Sequence, residues 1–405
     1  MIDPETAWKR LEQELRPLPS VATARGQAAG RVLAAPLAAT LDVPGTCVSA
    51  MDGFAVDAAV EESVTQGRPL LISGTIAAGD PTGFELPAGT AARIMTGATV
   101  PPGADRVIQV ELAQVAGDAV TLERALEPGA NLRRRGEILR QGEEILPRGA
   151  LLTPGALSLV ATHGFGRVPV YRAPRVGLIT TGDELVSPDE VPRPGQLRDS
   201  HTDFLRAAVA SLGLEIELLG IAPDEPEALT RRIERGLAAD VLLLTGGVSM
   251  GEFDLVEGAL ARLGCRPLFD SVAIQPGKPL VAAIHPNGLV FGLPGNPASV
   301  MVCFWLFVRP ALRRLMGLND GFWHGALNAE LAAPLPGTGG RDRFLPAEVE
   351  FADGRIRATP VLTRGSHDLL AMSRGTALVR IRSGQPARQI GEPCEVLPLG
   401  DWRGA

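Results

Sequence analysis

Length, composition and charge narrow the class of protein before any motif is considered. The chain has 405 residues, more than one hydrophobic core usually organises, so several domains are expected. Hydrophobic residues make up 45% and charged residues 21% of the chain, proportions that exclude wholesale disorder. The formal net charge of -7 argues against a general nucleic-acid binder, whose affinity depends on many Lys and Arg contacts to phosphates, but it allows a local anion site.

The N-terminal segment and the cysteines indicate a cytoplasmic protein. Residues 1–15 lack the basic and apolar stretches of a signal peptide, and no apolar run approaches ~18 residues without a charge or a proline. We therefore expect a cytoplasmic location and no membrane contact. The four cysteines are far apart and form no C-x-x-C pair, so reduced thiols are expected rather than a zinc site or a disulfide framework.

The first part of the chain mixes one helix with many short strands. Apolar residues at helical spacing predict a helix over 4–15. Residues 68–125 alternate short β-rich pieces with Gly and Pro turns. These patterns predict an elongated linking domain formed by 1–42 with 138–173, and a small β-rich domain over 43–137.

From Pro174 onward, strand and helix patterns alternate. The predicted strands are 175–180, 215–221, 240–244 and 289–292, and the predicted helices are 202–212, 226–237, 255–263 and 298–316. Such alternation predicts right-handed crossovers and a mostly parallel sheet covered on both faces, and Asp224 is placed to cap the second helix. We assign 174–320 to this α/β domain and 321–405, with only short strand-like pieces, to a C-terminal β domain.

Three glycine-containing loops follow strands of this domain, at the carboxyl ends where open sheets bind ligands. Thr180–Leu185 joins two acids to a glycine, which suits a metal ligand or an acid–base group, with a plain polar turn as the alternative. Thr245–Asp254 carries three glycines, a hydroxyl and two acids before a helix, which favours an anion cradle bridged by a divalent cation. Gly292–Ser299 places Asn296 as N-cap and Pro297 at the first helical position, and its backbone suits a close ligand.

One lysine stands out. Only Lys9 and Lys278 are lysines among the 39 Lys and Arg residues, so a site that requires a compact ammonium rather than a planar guanidinium is indicated at Lys278. It lies on the tight turn Gln275–Leu280 between two prolines, where an ammonium is placed to meet a phosphate or another oxyanion. The Walker A spacing and the Rossmann glycine pattern are both absent from the chain, so nicotinamide chemistry is disfavoured.

Eight short motifs follow one another in a recognisable order. They are S-A-M-D-G (49–53), M-T-G-A (95–98), R-R-R-G-E (133–137), T-G-D-E-L (181–185), P-G-Q-L-R-D-S (194–200), T-G-G-V-S-M-G-E-F-D (245–254), P-G-K-P (276–279) and G-L-P-G-N-P (292–297). By these motifs the chain resembles the molybdopterin molybdotransferases, the MoeA and gephyrin E-domain family, over nearly its whole length.

The resemblance implies both an architecture and a reaction. The architecture is a multidomain α/β plus β protein with a central MogA-like molybdopterin-binding domain, a C-terminal β-barrel-like domain and an elongated homodimeric assembly. The reaction is insertion of molybdate into adenylyl-molybdopterin, with Mg²⁺-dependent release of AMP, to give the molybdenum cofactor. Other proteins of molybdenum-cofactor biosynthesis are expected partners.

The resemblance also assigns residues. Asp52, Glu184, Asp254 and Lys278 match the catalytic positions, and Asp52, Glu184 and Asp254 are the expected Mg²⁺ ligands. The positions expected to bind the pterin substrate are Thr96, Thr181, Gly182, Asp199, Ser200, Asp224, Gly246, Gly247, Ser249, Gly277, Pro294, Gly295, Asn296 and Pro297. In the C-terminal domain, Arg341, Arg343 and Ser366 match positions associated with molybdate entry.

Two departures from the family pattern keep alternatives open. Gly45–Val48 replaces the aromatic and charged residues usual before S-A-M-D-G, and Ile138 replaces an acid after R-R-R-G-E. These changes are compatible with a paralogue of altered metal or oxyanion preference, and a non-catalytic scaffold is a second alternative. A molybdopterin adenylyltransferase-like enzyme is a third, although the flanking β domains argue against it. His201 stands where the family often has Asn, and a structural role is expected for it.

Overall fold

The chain forms two compact units in the computed structural model, which describes residues 1–80, 83–246 and 253–400, without the side chains of residues 253 and 254. The first unit comprises Met1–Ala34, Leu151–Thr153 and Val168–Ala405, and the second comprises Ala35–Ala150 and Pro154–Arg167. The first unit begins with helix α1 (Pro4–Glu14), as predicted, and strand β1 (Ser20–Ala24). Asp3 accepts hydrogen bonds from the backbone nitrogen and hydroxyl of Thr6, which caps α1.

The second unit is rich in short strands. Its elements are β2 (Leu37–Ala38), β3 (Val48–Ser49), β4 (Gly53–Val56), α2 (Val60–Thr65), β5 (Leu70–Ile76), β6 (Ala91–Ile94), β7 (Arg106–Gln109), β8 (Ala113–Ala116), β9 (Ala119–Leu122), β10 (Leu132–Arg133), β11 (Glu144–Leu146) and α3 (Pro154–Thr162). Six strands form one sheet in the order β7-β4-β6-β5-β9-β8. Strand β4 is fully buried between β6 and β7. Asp52 directly precedes this strand, so its backbone is anchored to a buried part of the sheet.

An α/β region follows in the first unit. It is preceded by strand β12 (Arg167–Tyr171), which pairs with β1. The elements of the region are β13 (Val176–Thr181), β14 (Leu185–Val186), β15 (Leu197–Arg198), α4 (His201–Ala210), β16 (Ile216–Ala222), α5 (Pro226–Gly236), β17 (Val241–Thr245), α6 (Phe253–Arg262), β18 (Arg266–Phe269), β19 (Ile274–Gln275), β20 (Val281–His285), β21 (Gly288–Leu293), α7 (Pro297–Cys303) and α8 (Arg309–Leu315). A π-helical turn over Phe304–Val308 joins α7 to α8, where the sequence predicts one long helix.

The main sheet of this region confirms the predicted fold class. Its strand order is β16-β13-β17-β21-β20-β18, and the first four strands are mutually parallel. Leu243 and Phe291 pack on one face, whereas Leu242 and Val290 pack on the other, which is why these strands read as continuous apolar runs. The antiparallel strands β18 and β20 were not predicted, because short apolar runs beside turns carry no periodicity that separates strand from loop.

The C-terminal region is a closed barrel. Its elements are β22 (Leu327–Leu331), β23 (Asp342–Ala352), β24 (Arg355–Pro360), α9 (Leu369–Arg374), β25 (Ala377–Ile381) and β26 (Pro393–Pro398). The strands pair in the order β23-β24-β22-β26-β25, and β25 returns to pair with β23, so five strands form a ring. Strand β19 of the α/β region pairs with the start of β23, which ties the Lys278 turn to the barrel.

A buried arginine connects the barrel to helix α1. The Arg380 guanidinium bonds to Asp342 within the barrel and to Glu5 of α1, and it lies 5.0 Å from the centre of the Phe322 ring. Such a partnered guanidinium stabilises the relative placement of the barrel and helix α1. Within the described ranges 1–80, 83–246 and 253–400, no helix is long and apolar enough to cross a membrane.

Candidate active site

The parallel strand order brings the predicted loops to one edge of the main sheet. Strands β16, β13, β17 and β21 are neighbours, and their carboxyl ends lead into Asp224, Gly182, Gly246 and Pro294 respectively. In open α/β sheets ligands bind at this edge. We call it the loop edge.

Close backbone contact holds the loops of this edge together. Gly246 has φ +82°, and a Cβ atom there would lie 2.1 Å from the carbonyl oxygen of Thr181. The Thr181 hydroxyl donates to the carbonyl oxygen of Thr245 at 3.3 Å, and a Cβ on Gly295 would lie 3.7 Å from the Gly246 Cα. The three glycine loops therefore touch in sequence from β13 through β17 to β21, and only glycine fits at position 246.

Two acids of the loop edge are paired through their backbones. The Asp183 nitrogen donates to Asp224 Oδ2 at 3.3 Å, and the Asp224 nitrogen donates to Asp183 Oδ1 at 3.2 Å. The prediction that Asp224 caps α5 is wrong, because Glu225 occupies the N-cap position and the Asp224 carboxylate is taken by the neighbouring loop. Both Asp183 and Glu184 are exposed. The Glu184 carboxylate lies over Gly182, whose hypothetical Cβ would be 2.7 Å from Glu184 Oε2.

The Asp199 side chain bonds to the first turn of helix α4. It is buried, and it accepts from the backbone nitrogens of His201 and Thr202 at 3.0 and 3.1 Å and from the Thr202 hydroxyl at 2.6 Å. Ser200 occupies the N-cap position without a side-chain capping bond. Burial lowers the pKa of His201, and the Asp199 charge opposes that shift. Asp199 also lines a cavity of about 470 Å³ beside Thr180; the cavity containing Lys278, described below, does not include it.

The third loop begins a helix without a side-chain cap. Asn296 is the N-cap of α7 and Pro297 is its first residue, as predicted, but the Asn296 side chain makes no capping bond. The backbone nitrogen of Ala298 donates to the carbonyl oxygen of Ser366 at 3.1 Å. The start of α7 therefore contacts the loop that precedes α9 in the barrel region.

The Lys278 turn is rigidly built. The carbonyl oxygen of Lys278 accepts from the nitrogens of Val272 and Leu280 at 3.0 and 2.9 Å. Gly277 has φ +109°, and a Cβ there would lie 2.7 Å from Cys303 Sγ, so the turn packs directly on α7. The Lys278 side chain itself is exposed. The backbone is thus fixed while the ammonium faces solvent.

A cavity of about 510 Å³ joins this turn to the third loop and the barrel. We call it the cation cavity. Its charged lining residues are Lys278, Arg341, Arg343 and Arg364, and its polar lining residues are Gln275, Asn296, Ser299, Thr363 and Ser366. Among the residues that the structure describes, no carboxylate belongs to this lining. Four positive charges without an acid favour an anion of more than one negative charge.

The structure thus brings together several residues that the sequence predicted separately. Lys278, Asn296, Arg341, Arg343 and Ser366 meet in the cation cavity. The sequence analysis assigned no role to Arg364 and Thr363, which lie in none of the eight motifs, and it included Gln275 and Ser299 only as end residues of the lysine turn and the third loop. The run of hydroxyl and basic residues beside Gly365 was the available signal for Arg364.

Asp52 and Thr96 meet in the second unit. The backbone nitrogen and the hydroxyl of Thr96 both donate to Asp52 Oδ1, at 2.6 and 2.8 Å, and these bonds hold the pKa of Asp52 below its usual range. A Cβ at Gly53 would lie 2.1 Å from the carbonyl oxygen of Ile108, so the glycine after Asp52 is required by the sheet. The S-A-M-D-G and M-T-G-A motifs therefore form one local arrangement around a charged carboxylate.

The structure describes only some of the residues that the sequence predicts around the metal. Gly247, Ser249 and the side chain of Asp254 lie outside the described residues. Among the described residues, no three His, Cys, Asp or Glu side chains come close enough to hold a metal ion together. What the loop edge does offer is carboxylate oxygens, the hard donors that Mg²⁺ prefers, at Asp183, Glu184 and Asp224, and their chemistry fits that ion.

Comparison with known proteins assigns all three parts of the chain. Residues 2–164 match the MoeA N-terminal region (domain I and II), 177–314 a probable molybdopterin binding domain, and 328–399 the MoeA C-terminal region (domain IV). The molybdopterin molybdenumtransferase of Nostoc sp. is 36% identical over 91% of this chain and 86% of its own length. That of Synechococcus elongatus is 41% identical over 91% of this chain and 92% of its own length.

A solved structure agrees with the sequence relatives. The molybdopterin biosynthesis MoeA protein from Pyrococcus horikosii superposes with a TM-score of 0.84 at 30% identity, over 99% of this chain and 100% of its own. Sequence and fold thus agree over almost the full length. The chain belongs to the MoeA family of molybdopterin molybdenumtransferases.

Proposed function

We propose that this chain inserts molybdate into adenylyl-molybdopterin, with Mg²⁺-dependent release of AMP, to give the molybdenum cofactor. Membership of the family makes it a transferase of molybdenum-cofactor biosynthesis; the particular substrates, the Mg²⁺ ion and the residue roles are the proposal. The observation that carries it is the cation cavity, where Lys278 and three arginines line the space with no acid among the described residues.

The cation cavity is the proposed molybdate site. Molybdate is a tetrahedral dianion, and guanidinium and ammonium donors bind such oxyanions through charge-assisted hydrogen bonds. Arg341 and Arg343 enter from strand β23 and its preceding loop, Lys278 enters from the turn after β19, and the Ser366 hydroxyl adds a neutral donor. Because the turn at Gly277 packs on Cys303, the ammonium is presented from a fixed backbone. Lys278 would hold the oxyanion where the pterin sulfurs displace its oxygens.

The loop edge is the proposed site of the adenylyl-molybdopterin pyrophosphate. Gly182, Gly246 and Gly295 bring backbone close to a ligand, and Gly295 leads straight into Asn296 of the cation cavity. A substrate spanning both regions would place its phosphates next to the bound oxyanion. The binding roles of Thr181, Asp199, Ser200, Asp224, Gly247, Ser249, Gly277, Pro294 and Pro297 belong to this proposal.

Glu184, Asp254 and Asp52 are the proposed Mg²⁺ ligands. Bound Mg²⁺ would supply charge neutralisation at the phosphate oxygens and the leaving AMP. The reciprocal Asp183–Asp224 bonds hold the loop edge in place around Glu184, and the Glu184 carboxylate stays exposed for a ligand. Asp52 is ionised at neutral pH, as an ordinary aspartate is, and the bonds from Thr96 lower its pKa further; the ionised form is the one in which a carboxylate binds a cation.

Asp52 is proposed to act with the loop edge of a second copy of this chain. This requires a homodimer, and it follows from the family resemblance rather than from any contact within the chain. The proposal also includes a cytoplasmic location and other cofactor-biosynthesis proteins as partners. It divides the chain into four domains, which are 1–42 with 138–173, 43–137, 174–320 and 321–405. Mixing an inactive Asp52→Ala chain with an inactive Glu184→Gln chain tests it, because recovered activity requires one intact site from two subunits.

The direct test is AMP release from adenylyl-molybdopterin, measured with Mg²⁺ and either molybdate or tungstate. We expect Glu184→Gln and Lys278→Arg to abolish oxyanion-dependent release while the protein stays folded, because the first removes a charge and the second replaces the compact ammonium. Lys9→Arg is the matched control, since Lys9 is the other lysine and lies exposed on α1, and it should turn over normally.

The outcomes separate the candidate functions. No AMP release by the unmodified protein with either oxyanion would contradict the transferase and favour a scaffold or a paralogue of altered preference. Formation of adenylyl-molybdopterin from ATP would favour the adenylyltransferase-like alternative. Normal turnover by Glu184→Gln or Lys278→Arg would remove that residue from the mechanism.

A further inference from the structure

Arg364 is the one charged lining residue of the cation cavity that neither the motifs nor the proposed reaction assigns. It is exposed, whereas Arg341 and Arg343 are half-buried. Among the residues that the structure describes, its guanidinium makes no ion pair or side-chain hydrogen bond. Its charge is therefore available to a ligand in the cavity.

The loop that carries Arg364 is clamped by Asp368. Asp368 Oδ2 accepts from the Arg364 backbone nitrogen at 3.0 Å, and Asp368 Oδ1 accepts from the Ala371 nitrogen at 3.0 Å. Both carboxylate oxygens are thus used, one for the loop and one for the first turn of α9. Asp368 is ionised at neutral pH, as an ordinary aspartate is, and the same two backbone donors, together with the nearby charges of Arg364 and His367, lower its pKa further.

Two further contacts fix the loop between these ends. Gly365 has φ +138°, a conformation that side-chain-bearing residues rarely adopt, and the Ser366 carbonyl oxygen accepts from the Ala298 nitrogen at 3.1 Å. Arg364 and Ser366 are therefore presented to the cavity from a backbone held at Asp368 on one side and at α7 on the other. A flexible loop would not hold an exposed arginine on the cavity lining.

We propose that Arg364 is a binding residue that captures the tetrahedral oxyanion, and that Asp368 is a positioning residue that acts through Arg364. The inference rests on the proposed function of the cation cavity and adds to it the step of capture. The guanidinium presents paired N–H donors that match two oxygens of one oxyanion. Because it is exposed, its charge raises the local anion concentration and is screened by salt.

Capture predicts a particular kinetic signature. Loss of Arg364 should weaken oxyanion binding and raise the KM for molybdate by about threefold to tenfold, the range expected for one partly screened charge-assisted contact. The kcat should change much less, because Arg364 holds the oxyanion before the sulfurs react with it. The salt dependence of molybdate binding should also become shallower.

The experiment uses the full chain and measures molybdate binding directly, by equilibrium dialysis with metal analysis, beside steady-state AMP release. The variants are Arg364→Gln, Asp368→Asn and the double variant. Asp368→Asn keeps one acceptor oxygen, so it loses only one of the two clamp bonds. Arg374→Gln is the matched control, because Arg374 is an exposed arginine of α9 outside the cavity lining and its loss changes the net charge equally.

We expect both single variants to bind molybdate more weakly, the double variant to be no worse than Arg364→Gln, and Arg374→Gln to match the unmodified protein. Binding by Arg364→Gln equal to that of the unmodified protein overturns the inference while the proposed function stands. Additive losses in the double variant overturn the positioning role of Asp368. If the unmodified protein binds neither molybdate nor sulfate, the cavity is no oxyanion site, and the inference fails together with that part of the proposed function.

Discussion

The loop edge and the cation cavity lie side by side in one unit but are built in different ways. At the loop edge, backbone meets backbone: Gly246 approaches Thr181, Gly295 approaches Gly246, and Asp183 and Asp224 exchange bonds through their backbone nitrogens. In the cation cavity, side chains from distant parts of the chain meet around open space. The fold therefore depends on the backbone contacts of the loop edge, whereas it does not depend on the charges that line the cation cavity.

This difference predicts how each region fails. A substitution that adds atoms at the loop edge must displace neighbouring backbone, so stability and activity should be lost together. A substitution that removes a charge from the cavity leaves an exposed, solvated space, so affinity should be lost alone.

The largest effect is expected for Gly246→Ala. The added Cβ would lie 2.1 Å from the Thr181 carbonyl oxygen at φ +82°, so the variant should lose at least about 3 kcal/mol of unfolding free energy, as expected for backbone strain combined with overpacking. Urea unfolding followed by circular dichroism measures the change. Gly258→Ala is the control, because a Cβ there meets nothing within 4 Å and alanine favours its helix by up to ~1 kcal/mol. Equal stability of the two variants would refute the backbone account of the loop edge.

A smaller effect is expected at the opposite end of the same sheet. Asp240 is buried before β17, and it bonds to both terminal nitrogens of Arg172 at 2.8 Å and to the backbone nitrogen of Arg175 at 2.7 Å. Although burial raises the pKa of Asp240, these bonds and charges outweigh it and hold the pKa below its ordinary value. Asp240→Asn should cost about 2 kcal/mol at pH 7.

The pH dependence of that cost follows from the sign of the shift. A lowered folded-state pKa stabilises the protein above the unfolded pKa of about 4, and this stabilisation is lost as pH falls through the folded value. The stability difference between the unmodified protein and Asp240→Asn should therefore shrink between pH 6 and the acid limit of folding. Asp203→Asn removes the exposed pair with Arg206 and should cost at most ~0.5 kcal/mol. If the stability difference between the unmodified protein and Asp240→Asn did not vary with pH, the ion-pair explanation would be contradicted.

The same contrast explains what the sequence predicted and what it did not. Gly182, Gly246 and Gly295 lie in short motifs after predicted strands, so local pattern was sufficient to place them on one edge. Lys278 was found because lysine is rare in this chain. Arg364 was missed, because the cavity that it lines depends on a barrel that closes between β23 and β25 and on a loop held by Asp368, and the run over 363–366 alone indicates neither feature.

The error at Asp224 has the same origin. The spacing before α5 indicated a helix cap, but a carboxylate bonds to the nearest unpaired N–H group, and the parallel pairing of β13 with β16 brings the Asp183 nitrogen closer. The unpredicted strands β18 and β20 are a second case. Whether their short apolar runs form strands depends on the neighbouring strand β21 rather than on their own periodicity.

The smallest effect on stability is expected in the cation cavity, for Arg343→Gln. Arg343 lies on β23 beside Gln275 of β19, and its backbone pairing stays intact when the side chain is shortened. We expect the KM for molybdate to rise about tenfold, equivalent to ~1.4 kcal/mol, with an unfolding free energy within ~0.5 kcal/mol of the unmodified protein.

The matched variant for that measurement is Arg382→Gln. Arg382 is an arginine of the same barrel region, paired with Glu395 and outside the cation cavity. Its substitution therefore removes one positive charge without removing a residue of the proposed oxyanion site. Its KM should not change. A large loss of stability in Arg343→Gln would mean that the cavity, like the loop edge, is part of the framework of the fold, and the distinction between the two regions would then have to be abandoned.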